Sequence, residues 1–222
     1  MTVSTGPAFD LTAWLTPDAS DALSRAMRRR SFAAGAIVYT QGDAGDEMFR
    51  VVSGSVRLSV RRHDGREIVF LLLRAGDFFG DSSMVDGGPR PQSAEALTAV
   101  ELDVLSRAAF DELHRADRAY DLALLKLLST QMRVVSERFA EASLSSLRAR
   151  VARRILELAP LLRGGGGDVR LSQTEMAAMV GASRQSVNKV LGTMQREGIL
   201  EIEHGSVGVL DLAAIRREAA DD

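Results

Sequence analysis

Two short helical segments joined by a tight turn, in residues 171–200, constrain the fold more than any other feature of the sequence. Ser172 and Glu175 have the spacing of a capping box, which marks the start of a helix. Gly181 can adopt the positive φ angle of a sharp turn, and Ser183 is a favourable N-cap for the next helix. The pattern predicts a helix-turn-helix.

The second of these helices, which can run to Gly198, carries long polar side chains at its N-terminal end. Arg and Lys side chains bind guanine N7 and O6 in the major groove, so this end of the helix suits DNA. A solvated helical hairpin is the alternative interpretation. The apolar residues that can face inward are Met176, Val180, Val187, Val190, Leu191 and Met194. The candidate DNA-binding residues are Ser172, Thr174, Ser183, Arg184, Gln185, Asn188 and Lys189.

The segment VGASRQSVNKVL resembles the DNA-binding motif of the Crp/Fnr superfamily of bacterial regulators. We therefore expect Arg184 and Lys189 to contact guanines. The family's usual residue at position 185 is Glu, which accepts from cytosine, whereas Gln185 can also donate and pairs well with adenine. The resemblance thus implies an operator that departs from the family's TGTGA half-site.

Short apolar or alternating runs separated by glycines extend from Ser31 to Ser106. Many short strands with glycine turns predict an antiparallel sandwich or roll. Within this region, Gly42–Val56 follows the pattern G-D-x-G-D-E-M-F-x-V-x-x-G-x-V, which is similar to that of the cyclic-nucleotide-binding β-roll. Before the roll, Ser20–Arg30 is predicted to be a short helix that ends in three arginines.

The segment Gly76–Arg90 resembles the family's phosphate-binding cassette. A short helix that opens at Gly80 offers free N–H groups to an anion. The resemblance gives Asp81 the place of a glutamate that binds a ribose hydroxyl, and gives Arg90 the place of the arginine that neutralises the cyclic phosphate. With two positions on a later helix included, the candidate effector-binding residues are Gly80, Asp81, Ser82, Arg90, Val135 and Ser136.

Three positions depart from the family's cyclic-AMP pattern. Pro91 stands where Ser or Thr is usual, which removes a hydroxyl and a backbone donor. Asp81 is one methylene shorter than Glu, and Val135 replaces the first residue of a Thr-Ser pair that reaches the nucleotide base, while Ser136 keeps the second hydroxyl. The interpretations left open are cyclic AMP or cyclic GMP as the effector, another small ligand, and no ligand.

From about Asp117 to Ala142 the apolar residues are spaced 3-4-3-4-3, which is typical of a coiled-coil seam. A parallel homodimer seam is the favoured interpretation, and packing against the protein's own roll is the alternative. Residues 142–146 are predicted to form a hinge before a helix over Leu147–Leu162. The predicted seam comprises Leu125, Leu128, Met132, Val135, Phe139 and Ala142.

The segments around the helix-turn-helix complete the predicted C-terminal region. The four glycines Gly164–Gly167 are predicted to be a loop, and they do not form a P-loop because no Lys-Ser/Thr follows. An alternating segment around His204 predicts a small β-hairpin wing, and Ala213–Asp222 is predicted to be a charged helix.

The composition argues against other classes of protein. The chain has no cysteine and only three scattered histidines, and we expect no metal, haem or iron–sulfur cluster. Neither a nucleophile–base pair nor a glycine-rich nucleotide loop supports an enzyme. The N-terminal segment lacks a signal-peptide pattern, and the longest strongly apolar run, Ile68–Leu73, is too short to cross a bilayer, so we expect a cytoplasmic protein with no membrane partner.

These features predict an α+β fold with a β-roll sensor domain over 1–116, a dimerisation helix over 117–142 and a winged helix-turn-helix domain over 143–222. We expect a homodimeric transcription regulator that binds double-stranded DNA at a palindromic operator, contacts RNA polymerase and responds to a small effector in the roll. The alternatives are a ligand-independent regulator of the same family and a cyclic-nucleotide-binding module that acts on proteins.

Overall fold

The computed structural model describes residues 8–64, 66–163, 172–203 and 206–220. The chain forms two compact units, one of Met1–Arg62 with Phe70–Val135 and the other of His63–Val69 with Ser136–Asp222. The predicted loop at Gly164–Gly167 and the hairpin tip at His204 lie outside the described residues. Within the described residues, no helix is long and apolar enough to cross a membrane.

The first unit is built on two four-stranded sheets. Their strand orders are β1-β8-β3-β6 and β2-β7-β4-β5, and the pairs β1·β8, β3·β8, β3·β6, β2·β7 and β4·β7 are antiparallel. This confirms the predicted antiparallel roll. The strands are β1 (Arg28–Phe32), β2 (Ile37–Tyr39), β3 (Glu47–Ser53), β4 (Val56–Arg61), β5 (Glu67–Leu73), β6 (Phe78–Phe79), β7 (Ser93–Ala96) and β8 (Val100–Ser106).

The predicted helix over Ser20–Arg30 is wrong at both ends. A 3-10 helix at Leu11–Trp14 is followed by α1 at Pro17–Ala26, whose N-cap is the side chain of Thr16. The arginines lie on β1 instead, opposite acidic residues that are distant in sequence. Arg29 contacts Glu101 and Asp103, and Arg30 makes a bidentate contact with Glu47. These cross-strand ion pairs favour the extended conformation over a longer helix.

Three further helices begin in the first unit: α2 (Asp81–Asp86), α3 (Arg107–Ala116) and α4 (Ala119–Leu144). The predicted helix near Asp117–Ala142 is therefore confirmed as α4, which has 26 residues. One face of α4 joins the core of the roll through Tyr120, Ala123, Leu124 and Leu127. The Tyr120 hydroxyl donates to the carbonyl of Ala19 over 2.8 Å, which satisfies the polar end of this buried ring.

The second unit is mainly helical and has a two-stranded antiparallel hairpin. The predicted first helix, helix-turn-helix and wing are all present, and the charged terminal helix is described to Ala220. Five of the six predicted inward residues of the helix-turn-helix are buried, and Val190 is half-buried. The elements are α5 (Leu147–Arg163), α6 (Gln173–Val180), α7 (Arg184–Arg196), β9 (Leu200–Glu203), β10 (Ser206–Val209) and α8 (Leu212–Ala220).

Candidate ligand cavity and nucleic-acid interface

The predicted cassette forms a turn and the six-residue helix α2. Gly80 is its N-cap with φ 80°, and Gly87 ends the helix with φ 71°. Because residues other than glycine rarely adopt this left-handed backbone conformation, glycine at these two positions lets the chain enter and leave the helix. The guanidinium of Arg107, at the start of α3, donates to the carbonyl of Ser83 over 2.7 Å and holds α2 in place.

Arg90 is packed into the scaffold of the cassette and is only 4% exposed. Its Nη1 donates to the carbonyl of Gly80 over 2.7 Å, and its Nη2 donates to the carbonyl of Glu47 over 2.6 Å. The guanidinium also lies over the ring of Tyr39, 4.3 Å from the centroid, which is a cation–π contact. A Cβ atom at Gly80 would lie 2.9 Å from Nη1, so glycine permits this close approach.

Asp81 is the first residue of α2 and is 2% exposed. Its Oδ1 accepts a hydrogen bond of 3.0 Å from the side-chain amide of Gln131 on α4. Its Oδ2 has no hydrogen-bond partner among the described residues. Burial raises the pKa of the Asp81 carboxyl above its ordinary value, against the opposing effects of Gln131 and of the Arg90 charge.

A cavity of about 290 Å³ lies between the cassette and α4. It brings together four of the six candidate effector residues, namely Gly80, Asp81, Ser82 and Val135. Arg90 does not line it, and neither does the exposed Ser136. The rest of the wall is mostly apolar and includes Leu58, Phe70, Leu71, Leu73, Phe79, Pro91, Leu128 and Met132.

Sequence reasoning did not single out Gln131 or Tyr39, although both line the cavity. Tyr39 is buried among Phe49 and Phe79, with ring centroids 5.8 and 6.1 Å away, and burial raises the pKa of its hydroxyl. Gln131 lies one turn before Val135 on α4, between seam positions. A polar residue at such a position in an apolar helix face is the one signal that could have identified it.

The predicted dimer seam divides between two environments. Leu125, Met132 and Phe139, which are seven residues apart, are 60%, 66% and 73% exposed. Leu128 and Val135 are half-buried and line the cavity, as Met132 also does. The alternative, in which this whole face packs on the protein's own roll, does not hold for the three exposed residues.

Side-chain caps define the helix-turn-helix of the second unit. The Ser172 hydroxyl accepts from the Glu175 N–H over 3.1 Å, and the Ser172 N–H donates to the Glu175 carboxylate over 2.7 Å, which confirms the capping box. Gly181 ends α6 with φ 63°, and Ser183 caps α7 by accepting from the Ser186 N–H. These local bonds fix the start of α7.

The predicted DNA-binding residues lie near the N-terminal ends of α6 and α7. Arg184 and Gln185 are the first two residues of α7, and they are exposed, as is Lys189. Asn188 is half-buried, and its Oδ1 has no partner among the described residues. A depression of about 320 Å³ brings Arg184 together with Ser172 and Thr174, and with Gln173, which the sequence did not single out.

Within the described residues, no group of three or more His, Cys, Asp or Glu side chains could hold a metal ion. His114, near the end of α3, forms a close hydrogen bond with Asp121, near the start of α4. Hydrogen bonding from His114 lowers the pKa of Asp121 below its ordinary value.

Comparison with known proteins matches both units. A cyclic nucleotide-binding domain matches residues 29–117, and a Crp-like helix-turn-helix domain matches residues 149–218. The chain is 32% identical over 210 residues to the CRP-like cAMP-activated global transcriptional regulator of Mycobacterium tuberculosis, covering 91% of this chain and 93% of that protein. It is 32% identical over 205 residues to the cyclic AMP receptor protein of Thermus thermophilus, covering 92% and 94%.

A solved structure agrees with these relatives. A CRP/FNR-family transcriptional regulator from Thermus thermophilus superposes with a TM-score of 0.76 at 30% identity, covering 87% of this chain and 99% of that chain. The relative from Mycobacterium tuberculosis and this solved structure are both named as transcriptional regulators. With the roll, the long helix and the winged helix-turn-helix described above, these matches show that the chain belongs to the Crp/Fnr family of transcription regulators.

Proposed function

We propose that this protein is a homodimeric regulator that reads a palindromic operator with α7 and responds to a small effector in the cavity beside the cassette. The observation that carries the proposal is the N-terminal end of α7. There, Arg184, Gln185 and Lys189 are exposed on a helix whose start is fixed by Ser183. Such a helix end can enter the major groove and present its donors to base edges.

The proposed contacts separate into base and phosphate contacts. Arg184 and Lys189 bind guanines, and Gln185 binds a further base, with adenine the best match. Ser172, Thr174 and Ser183 lie at helix N-termini, where hydroxyls and backbone N–H groups suit phosphate oxygens. Asn188, whose Oδ1 has no partner among the described residues, is the last residue of the proposed DNA-binding surface.

Dimerisation through α4 is supported by its exposed apolar residues. Leu125, Met132 and Phe139 recur every seven residues and leave large side chains in water. A parallel pair of α4 helices would bury all three against their counterparts, as in a short coiled coil. Two α7 helices held in this way would meet major grooves about 34 Å apart, which implies a palindromic site.

The proposal also covers the effector, the domain boundaries and the partners of the protein. The match to a cyclic nucleotide-binding domain and the cAMP-activated relative make cyclic AMP and cyclic GMP the first ligands to test. We place the sensor in residues 1–116, the dimerisation helix in 117–142 and the DNA-binding domain in 143–222. The hinge predicted over 142–146 is too long, because α4 continues to Leu144, so we place the hinge at Ser145 and Ser146, before α5. As a transcription regulator the protein would work in the cytoplasm and contact RNA polymerase.

A selection from random DNA tests the proposal. The full chain is incubated at fixed salt with a library of randomised duplexes, and retained duplexes are sequenced over several rounds. We expect one palindromic motif to be enriched, with guanines in both half-sites. Enrichment of no motif would contradict sequence-specific DNA binding and would favour a ligand-binding module that acts on proteins.

A further inference from the structure

The cavity beside the cassette has a lining that differs from what an anionic ligand needs. Asp81 is the one residue with a formal charge among the described residues that line it, and that charge is negative. Asp81 also occupies the first position of α2, where it already complements the positive end of the helix. A phosphate in this cavity would therefore meet a carboxylate and no cation from the described lining.

Arg90, the arginine of the cassette, is bonded to the protein scaffold. Its two terminal nitrogens donate to the carbonyls of Gly80 and Glu47, and the group lies over the Tyr39 ring. The remaining nitrogen, Nε, has no hydrogen-bond partner among the described residues, but it lies against Gly45, since a Cβ there would be 2.8 Å from it. Turning the guanidinium toward the cavity would break two part-buried hydrogen bonds to backbone carbonyls, which is unfavourable.

Two other positions remove donors from the wall. Pro91 has no backbone N–H, and Val135 presents only methyl groups. With the aromatic and aliphatic residues around them, they give the cavity an apolar surface that favours uncharged ligands.

Two polar groups of the cavity wall have an unmet hydrogen-bonding requirement: Oδ2 of Asp81 and Oγ of Ser83, which lacks a partner among the described residues. Gln131 satisfies Oδ1, but Oδ2 has no partner among the described residues, although the aspartate is only 2% exposed. A buried acceptor without a donor destabilises the folded protein, so a ligand that supplies an O–H or N–H here would gain binding energy.

We infer that the cavity takes an uncharged, largely apolar small molecule with one hydroxyl or N–H donor for Asp81, rather than a cyclic nucleotide. The inference rests on the proposed function only in treating the cavity as the effector site. Its volume of about 290 Å³ is roughly twice that of an engineered cavity of about 150 Å³ that binds benzene. A two-ring molecule is therefore a suitable probe.

The test compares indole with 1-methylindole, which has the same two rings but no N–H donor, and with cyclic AMP and cyclic GMP. Binding to the full chain is measured by calorimetry and by the shift in melting temperature. We expect saturable binding of indole at least about fivefold tighter than that of 1-methylindole, and no saturable effect of either nucleotide.

Two variants locate the binding. Asp81→Leu removes the acceptor and should bring the affinity for indole down to that for 1-methylindole. Val135→Phe fills the cavity from α4 and should weaken both probes, which provides a second test if Asp81→Leu does not fold. Circular dichroism verifies that each variant is folded.

Three results would overturn the inference. One is saturable binding of cyclic AMP or cyclic GMP that exceeds the binding of indole. The others are equal affinity for the two indoles and no binding of either. None of these results affects the DNA selection, so a failure here is distinct from a failure of the proposed function.

Discussion

Two buried aspartates of the first unit differ in their hydrogen-bond partners and in the direction in which their pKa is shifted. Asp103 is 6% exposed and receives hydrogen bonds from Arg29 and Arg50 at 2.7 and 2.5 Å. Burial alone would raise its pKa, but these hydrogen bonds outweigh burial and hold the pKa below its ordinary value. Asp81 has only Gln131, and burial raises its pKa. The aspartate paired with two arginines stabilises the fold, whereas Asp81 keeps one buried oxygen without a partner among the described residues.

We expect Asp103→Asn to lower the free energy of unfolding by about 2 kcal/mol at pH 7, because it leaves two arginines with a weaker partner. A carboxyl group whose pKa is lower in the folded than in the unfolded protein stabilises the fold. This stabilisation is complete above the ordinary aspartate pKa of about 4, and it is lost as the pH falls through the folded-state pKa. The difference in the free energy of unfolding between Asp103→Asn and the wild type, measured by urea denaturation, should therefore shrink below about pH 4.

Glu101→Gln is the matched control for this change. Glu101 also pairs with Arg29, but both side chains are about half exposed, so solvent screens the pair. Little change in stability is expected. A Glu101→Gln effect as large as that of Asp103→Asn would contradict the distinction between the two sites.

At the DNA-binding surface, Arg184→Ala should weaken operator binding by about 1–3 kcal/mol and relax the preference for guanine at one position. Arg184 is exposed at the first position of α7, so the stability of the fold should not change. Fluorescence anisotropy on the selected operator and on single-base variants measures both effects.

The control for Arg184→Ala is Arg196→Ala, at the last position of the same helix. Arg196 contacts Gly192 and Thr193 within its own helix, and we expect its loss to change binding much less. Equal losses from the two substitutions would contradict base contact by Arg184.

At the scale of the element, α4 carries apolar residues on two faces with separate tasks. Tyr120, Ala123, Leu124 and Leu127 are buried in the roll. The heptad residues Leu125, Met132 and Phe139 are exposed. Because the buried face already anchors the helix to the roll, we propose that the exposed face binds a second copy.

Leu125→Glu combined with Phe139→Glu should convert a dimer of twice 24.0 kDa into a monomer at micromolar concentration, as measured by analytical ultracentrifugation. Charges at both positions would face their own copies across a parallel seam, which is unfavourable. Lys126→Glu, on the exposed side of α4 away from the seam, should leave the dimer intact. A double variant that remains dimeric would contradict the proposed seam.

The elements also show what could be predicted from the sequence. The starts of α6 and α7 could be predicted because their caps join residues three apart. The position of Arg29 on β1 could not, since its partner Asp103 is 74 residues away. The Asp81–Gln131 bond joins residues 50 apart, so it escaped prediction for the same reason. Local signals identify helices and their ends, whereas cross-strand pairing and cavity walls depend on the complete fold.

At the scale of the whole molecule, the proposed regulator places two copies of the chain on one operator. Each second unit supplies one α7, and the paired α4 helices fix the spacing between them. DNA has about 10–10.5 base pairs per turn, so both helices meet major grooves on the same side of the duplex. In the proposed dimer, the spacing of the half-sites would therefore follow from the distance between the two α7 helices.

The most direct measurement compares the selected operator with one in which the half-sites are moved apart by five base pairs, about half a turn. We predict two chains per duplex on the first site and a loss of affinity of about 100-fold or more on the second, because only one half-site can then be bound. Equal affinity for the two sites would contradict a homodimer that reads both half-sites at once.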